Sequence, residues 1–211
     1  MIACLDLEGV LLPEIWIKFA EKTGVEDLKL TTRDIPDYDE LMTKRLSILK
    51  ENNYKLENIK EVISTLKPLD GAIDFHNWLK SEFQVIILSD TFYQFVSPLM
   101  KQLDYPTLFC HQLIIDSDDS IVGYKLRQPN GKQEAVKALQ NLNFKVVAAG
   151  DSYNDIGMLK QADEGILFDP PKNVISDYPQ FSVSTSYADF QKKLEACKVK
   201  FKSASEDLKY C

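Results

Sequence analysis

Glycine, cysteine and histidine are scarce in this chain, and each scarcity excludes a class of protein. The 211 residues include only 8 Gly, 4 Cys and 2 His. So few glycines, without any repeat, exclude collagen-like and low-complexity chains. No two cysteines have CxxC spacing, which argues against a structural zinc site and a disulfide framework. We therefore expect reduced thiols and a cytoplasmic location.

Positive charge and long apolar runs are also lacking. The chain has 25 Lys and Arg against 32 Asp and Glu, a formal net charge of −7. An acidic chain is a poor candidate for nucleic-acid binding, which depends on neutralising phosphates. No window approaches the roughly 20 apolar residues that a membrane-spanning helix needs. We expect a small-molecule partner, no nucleic acid and no membrane; the oligomeric state stays open, a homodimer included.

Two apolar periodicities divide the chain into a core and an insert. Residues 1–6 form a short apolar run, typical of a buried strand, and residues 13–68 carry apolar stripes at helical spacing. After residue 68, strands and helices alternate, apart from a hairpin with an acidic turn at residues 116–119 that is predicted to be solvated. We therefore predict an α/β fold. It has a doubly wound, Rossmann-like parallel sheet core (residues 1–12 and 69–197), an inserted helical-bundle cap (13–68) and a solvated polar tail (198–211).

Acidic and hydroxyl side chains follow three of the predicted parallel strands. Asp6, Asp90 and Asp151 stand at the strand ends, and Ser89 and Thr91 flank the second of them. Such ends meet at one edge of a parallel sheet. A single acid there is more often a helix N-cap than a catalyst. Several carboxylates together repel each other unless a cation lies among them, and oxygen ligands favour Mg²⁺ over zinc.

This edge suits phosphoryl transfer. A carboxylate can act as the nucleophile and form an acyl phosphate. The reaction mainly needs charge neutralisation, which Mg²⁺ and a lysine such as Lys132 would supply. The Ser89 hydroxyl and the backbone N–H groups that follow it would bind phosphoryl oxygens.

The order of these motifs resembles that of the haloacid dehalogenase superfamily of phosphotransferases. Its DxDx[TV] and GDxxxD motifs match DLEGV at residues 6–10 and GDSYND at residues 150–155. Its strand-end serine and its lysine match Ser89 and Lys132. The resemblance implies that Asp6 is the nucleophile, that Glu8 is the general acid and base, and that Ser89 and Lys132 bind the phosphoryl group. It also implies a Mg²⁺ site formed by Asp6, the Glu8 carbonyl and Asp151, with Asp155 in support.

The helical insert resembles the cap of phosphoserine phosphatases, above all the bacterial ones that also transfer the phosphoryl group to homoserine. The resemblance spans about residues 1–190 and includes KRLSILK at residues 44–50. It implies that Arg45 pairs with the substrate carboxylate and that Glu14 takes its ammonium group. It also implies that Asn154 contacts the phosphoryl group or the substrate hydroxyl, beside the N–H groups of Asp90 and Thr91 that the helix start already places there. The resemblance points to amino-acid biosynthesis and leaves open whether the route is that of serine or threonine.

One residue departs from the superfamily pattern: Glu8 stands where most phosphatases have Asp. The extra methylene moves the carboxyl by about a bond length, and such a misplacement can cost about 100-fold in a proton-transfer step. Slower activation of water would lengthen the life of the phosphoenzyme and let an alcohol compete. We therefore expect transfer to homoserine alongside hydrolysis.

Three alternatives stay open at this stage. Arg45 has a structural reading as the surface partner of Asp39 or Glu40. The substrate could be a nucleotide or sugar phosphate, with Trp16, Phe19 and Tyr38 available for stacking. The chain could also be a non-catalytic sensor, although binding alone does not need the nucleophile Asp6.

Overall fold

A seven-stranded sheet forms the centre of the structure, a computed structural model that describes residues 1–32, 34–35 and 37–207. Its strands are β1 (Ile2–Leu5), β2 (Gln84–Phe92), β3 (Thr107–Ile115), β4 (Ile121–Lys125), β5 (Val146–Gly150), β6 (Glu164–Phe168) and β7 (Ser182–Ser184). The order is β4-β3-β2-β1-β5-β6-β7, and all neighbours are parallel except the antiparallel β3–β4 pair. The predicted α/β fold with a mostly parallel sheet is confirmed.

The helices and the sheet enclose two apolar cores. The α-helices are α1 (Ile15–Thr23), α2 (Tyr38–Glu51), α3 (Leu56–Ser64), α4 (Ala72–Glu82), α5 (Tyr93–Met100), α6 (Gly131–Asn141), α7 (Ile156–Gln161), α8 (Lys172–Asp177) and α9 (Tyr187–Asp207). Along β1, Ala3 and Leu5 join the larger core, whereas Ile2 and Cys4 join the smaller one. Because side chains alternate along a strand, this central strand is apolar on both faces.

Helices α1, α2 and α3 lie within the predicted cap, residues 13–68, whose limits as a domain stay a prediction. Helix α1 ends at Gly24, which has a φ of 72° and caps the helix in the left-handed conformation. Helix α2 begins after Asp37, whose side chain accepts a hydrogen bond from the Glu40 backbone N–H at 2.9 Å.

The acidic turn between β3 and β4 contacts the start of α3. The Asp119 carbonyl accepts from the Leu56 N–H at 3.0 Å, and the Asp119 carboxylate accepts from the Glu57 N–H at 2.9 Å. The Lys55 ammonium lies 2.5 Å from the Asp118 carboxylate. These contacts satisfy N–H groups that a helix start leaves without an intrahelical partner. The turn therefore joins the helical insert to the sheet.

The polar tail predicted from residue 198 begins as the last part of a helix, and most of its described side chains are exposed. Helix α9 continues to Asp207 because Phe190, Leu194, Cys197 and Phe201 recur at helical spacing and pack against the larger core. Residues 208–211 of the predicted tail lie outside the described residues. Among the helices described, none combines the length and apolarity needed to cross a bilayer.

Candidate active site

The carboxyl ends of β1, β2 and β5 bring three acidic or hydroxyl-bearing segments together. The Asp6 N–H donates to the Ala149 carbonyl at 2.9 Å, which holds the residue after β1 against β5. Within the described residues, carboxylate oxygens of Asp6, Asp151 and Asp155 lie within 4.8 Å of one another. All three acids are buried. The convergence follows from the parallel arrangement of these strands.

Lys132, in the first turn of α6, is the buried cation of this cluster. Its Nζ lies 2.7 Å from Asp155, 3.0 Å from Asp6 and 3.5 Å from Asp90. Burial by itself lowers the pKa of Lys132, but the three carboxylates outweigh it and raise that pKa well above its usual value. The ammonium therefore stays charged beside Asp6 at neutral pH.

The negative charge of the cluster and its close packing fit a divalent cation. Burial, with the charges of Asp155 and Asp151, raises the pKa of Asp6 well above its usual value, although Lys132 opposes the shift. A Cβ on Gly9, where φ is 78°, would lie 2.6 Å from the Asp151 carboxyl carbon. The backbone at Gly9 thus lies so close to the Asp151 carboxyl that only a residue without a side chain fits there. An all-oxygen donor set of this kind suits Mg²⁺.

Asp155 shapes the loop that carries Asp151. Its Oδ2 accepts hydrogen bonds from the backbone N–H groups of Asp151 at 2.9 Å and Ser152 at 3.1 Å. Its Oδ1 faces Lys132. These contacts agree with the supporting part that the resemblance implies for Asp155 at a metal site.

Glu8 is held with its carboxyl between the core and the helical insert. Its Oε2 accepts from the Ile15 N–H at 2.9 Å, at the start of α1. Burial raises the pKa of Glu8, and hydrogen bonds from Ile15 and Thr91 only partly offset that effect. A raised pKa favours the protonated form of the carboxyl, which is the form that a general acid needs.

Arg45 projects from α2 into the same region and is buried. Its Nη2 donates to the Leu30 carbonyl at 2.9 Å, and its guanidinium lies 4.6 Å from the Trp16 ring centroid. Burial lowers its pKa to about 10, so it remains a cation at neutral pH. Asp39 instead accepts a hydrogen bond from Tyr124. The alternative that places Arg45 in a surface ion pair is therefore wrong.

A cavity of about 80 Å³ lies between the strand ends and the insert. Of the predicted catalytic and substrate-binding residues, those that line it are Asp6, Glu8, Glu14, Arg45, Ser89, Asp90, Thr91 and Asn154. Lys132, Asp151 and Asp155 lie next to Asp6, which lines the cavity. The structure thus gathers every residue of the predicted site, while their individual roles remain predictions.

Two contacts of this region escape the sequence analysis. The Tyr38 hydroxyl donates to the Asp90 carbonyl at 3.0 Å and lines the cavity. His111, on β3, has its Nε2 3.4 Å from Asp90 Oδ1. No local sequence pattern predicts either contact, because both depend on how β2 packs against elements that are distant along the chain.

Lys132→Met is expected to destabilise the metal-free protein by about 3–5 kcal/mol, because it leaves buried carboxylates without their cation. The loss should shrink as pH falls, because protonation of these carboxyls removes their need for a cation. Lys132 lowers the pKa of Asp6 and Asp90, so its removal costs most where both must stay ionised. Urea unfolding with a chelator present measures the effect.

The matched control for this variant is Lys137→Met, which removes an exposed lysine from the same helix. It should change the free energy of unfolding by no more than about 0.5 kcal/mol. Equal effects of the two substitutions would contradict a special role for Lys132 in stabilising the acidic cluster.

Comparison with known proteins gives concordant matches. A family model for haloacid dehalogenase-like hydrolases matches residues 3–163. The chain is 60% identical over 192 residues to phosphoserine phosphatase ThrH of Pseudomonas aeruginosa, covering 91% of this chain and 94% of that protein. It is 59% identical over 192 residues to a phosphoserine phosphatase of Pseudomonas syringae pv. tomato, covering 91% and 81%.

Solved structures share the fold. A phosphoserine phosphatase solved as a phospho-aspartyl intermediate analogue superposes with a TM-score of 0.74 at 21% identity. The match covers 91% of this chain and 97% of that one. At this identity the similarity supports the architecture alone.

Proposed function

Because this chain belongs to the haloacid dehalogenase-like hydrolases, we propose that it is a Mg²⁺-dependent phosphoserine phosphatase that works through a phosphoaspartate on Asp6. One observation carries the proposal: Asp6 lies beside the buried Lys132 ammonium and lines a small cavity whose other wall holds Arg45. The names of the two Pseudomonas relatives support the substrate. Phosphatase chemistry and an amino-acid carboxylate would thus meet in one cavity.

In the proposed reaction, Asp6 attacks phosphorus in line and the P–O bond to serine breaks. Glu8 gives its proton to the departing serine oxygen, then takes a proton from the water that attacks the phosphoaspartate. The raised pKa of Glu8 favours the first of these steps. The phosphate leaves with its oxygen from that water, and Asp6 is restored.

Other residues of the cavity bind and orient the substrate. Ser89 and Lys132 contact the phosphoryl oxygens, so that the cation offsets their charge. The flat guanidinium of Arg45 pairs with the α-carboxylate, and Glu14 binds the α-ammonium. Asn154 contacts the phosphoryl or hydroxyl oxygen. Asp6, the Glu8 carbonyl and Asp151 would hold Mg²⁺. When bound there, the ion would further neutralise the charge of the phosphoryl group.

Mg²⁺ is expected to stabilise the protein even without substrate, because it relieves repulsion within the acidic cluster. At 100 times its Kd the gain is about 2.7 kcal/mol, which raises Tm by about 5–10 °C. Differential scanning calorimetry with and without Mg²⁺ measures the shift. Asp151→Asn should largely abolish it, whereas Asp104→Asn, at an exposed acid, should retain it. An equal shift in both variants would contradict the metal site.

The alternative of a nucleotide or sugar phosphate finds less support. Trp16 is covered by Arg45, Phe19 is buried against Tyr54, and Tyr38 is hydrogen-bonded to the Asp90 carbonyl. Trp16 and Phe19 are buried, so neither ring is free to stack on a base.

Phosphate release from L-phosphoserine with Mg²⁺ tests the proposal. Nucleotide, sugar and aryl phosphates should be assayed at equal concentrations beside it. Preference for phosphoserine in kcat/KM is expected. Hydrolysis of the aryl phosphate without turnover of phosphoserine would support phosphatase activity but overturn the assignment of phosphoserine as the substrate.

We also propose that the phosphoryl group is transferred to homoserine, a hypothesis that rests on Glu8. Glu8→Asp is expected to lower the ratio of O-phosphohomoserine to free phosphate several-fold, since a better-placed carboxyl activates water more effectively. Product analysis with phosphoserine and added L-homoserine gives the ratio. An unchanged ratio would remove Glu8 as the cause of transfer.

A further inference from the structure

Among the residues that the structure describes, three neighbours hold the Asp90 carboxylate, and one of them lies outside the proposed catalytic set. Asn154 Nδ2 donates to its Oδ2 at 2.8 Å, and Lys132 Nζ lies 3.5 Å from the same oxygen. The third neighbour is His111, whose Nε2 lies 3.4 Å from Oδ1. Burial would raise the pKa of Asp90, but Lys132, His111 and Asn154 outweigh it and hold the carboxylate ionised.

The backbone determines which nitrogen of His111 carries the proton. The Arg127 N–H donates to Nδ1 at 3.2 Å, so Nδ1 is the acceptor and the proton of the neutral ring lies on Nε2. The rings of Tyr38 and Phe92 pack near the imidazole, with centroids 6.0 and 6.3 Å away. His111 is 5% exposed. The ring is therefore held in place with its N–H directed at Asp90.

The orientation of Asp90 matters because Lys132 lies between competing carboxylates. Asp155 and Asp6 attract the ammonium from one side and Asp90 from another. If Asp90 rotated away, the ammonium would lose a charged neighbour. Asn154 would lose its acceptor as well.

We propose that His111 is a positioning residue, whose Nε2–H holds the Asp90 carboxylate in the orientation that keeps the Lys132 ammonium beside the phosphoryl site. The proposal rests on the phosphatase function proposed above. His111 acts through Asp90 rather than on the reacting atoms themselves. A positioning residue of this kind should affect kcat more than KM, since ammonium placement counts most as charge develops on the phosphoryl group.

Two substitutions separate the proposed contact from mere packing. Asn at this position can still accept from the Arg127 N–H but is too short to reach Asp90, whereas the Gln amide can approach the place of Nε2. His111→Asn is expected to lower kcat about tenfold, as befits one lost hydrogen bond to a charged group. His111→Gln should stay within about threefold of the parent. His76→Asn, at a buried histidine on α4, controls for loss of an imidazole and should leave kcat unchanged.

A double-mutant cycle with Asp90→Asn completes the test. In that background His111→Asn should add less than about a twofold effect, because its partner charge is already gone. The proposal is overturned by a normal kcat in His111→Asn, by equal damage in His111→Gln, or by an undiminished effect beside Asp90→Asn. Each variant is assayed on phosphoserine and on an aryl phosphate. If the phosphoserine assignment is wrong, the parent enzyme will hydrolyse the aryl phosphate but not phosphoserine.

The unaltered protein supplies a measurement that does not depend on how the variants fold. Nitrogen-15 NMR of the histidine side chains should show His111 protonated at Nε2 and unprotonated at Nδ1. A proton on Nδ1 at neutral pH would overturn the proposal, because Nδ1 could then not accept from Arg127.

Discussion

Asp6→Asn is expected to reduce phosphate release from phosphoserine by a factor of about 10⁵ to 10⁶, the scale on which loss of a catalytic nucleophile acts. The amide cannot form the acyl phosphate. Folding should survive, because burial and the neighbouring acids already disfavour the charged form of Asp6. Steady-state assays with Mg²⁺ measure the loss, and urea unfolding tests the fold.

The control for this variant is Asp27→Asn, at an exposed acid, which should keep full activity. Mass spectrometry of acid-quenched parent enzyme should find one phosphoryl group on the peptide that contains Asp6. Residual activity above about 1% of the parent would exclude Asp6 as the only nucleophile, since a true nucleophile leaves far less.

Glu8→Gln is expected to lower kcat on phosphoserine by about 10²–10⁴, the usual contribution of a general acid and base. The serine alkoxide is a poor leaving group and needs the Glu8 proton. An aryl oxide leaves without one, so formation of the phosphoenzyme from an aryl phosphate should fall much less. Single-turnover measurements on both substrates separate this step from hydrolysis of the intermediate.

The two substrates make the Glu8 prediction specific. A structural role for Glu8, whose Oε2 accepts from the Ile15 N–H, would slow both substrates alike. Equal losses would therefore contradict the assignment as general acid. Glu21→Gln, at an exposed glutamate of α1, should leave both rates unchanged.

The larger part of the candidate site could be predicted from the sequence. Asp6, Ser89 and Asp151 follow short apolar runs, and parallel strands deliver the residues at their ends to one edge. Lys132 was a candidate from its place at a predicted helix start, whereas Arg45 required the family resemblance, because an arginine on a helix has an ordinary structural explanation. The structure brings both into the cavity region, Lys132 through Asp6 and Arg45 directly.

The sequence missed contacts between segments that only the sheet order brings together. His111 lies near Asp90 because β2 and β3 are parallel neighbours, with Phe92 opposite His111. The turn that holds Asp119 was predicted to be solvated, yet it caps a helix more than 60 residues earlier in the chain. The three-residue strand β7 is too short and too polar to give a periodic signal.

Local chemistry and periodicity by themselves determined the α/β class, the helical character of the insert and the edge of the sheet where the acids meet. These follow from residues within a few positions of one another, whose spacing sets which face of a strand or helix they occupy. Only the tertiary structure decided how Lys132 is shared among Asp6, Asp90 and Asp155, and that His111 supports Asp90. Those contacts join distant segments, and their energies depend on burial, which the sequence alone does not contain.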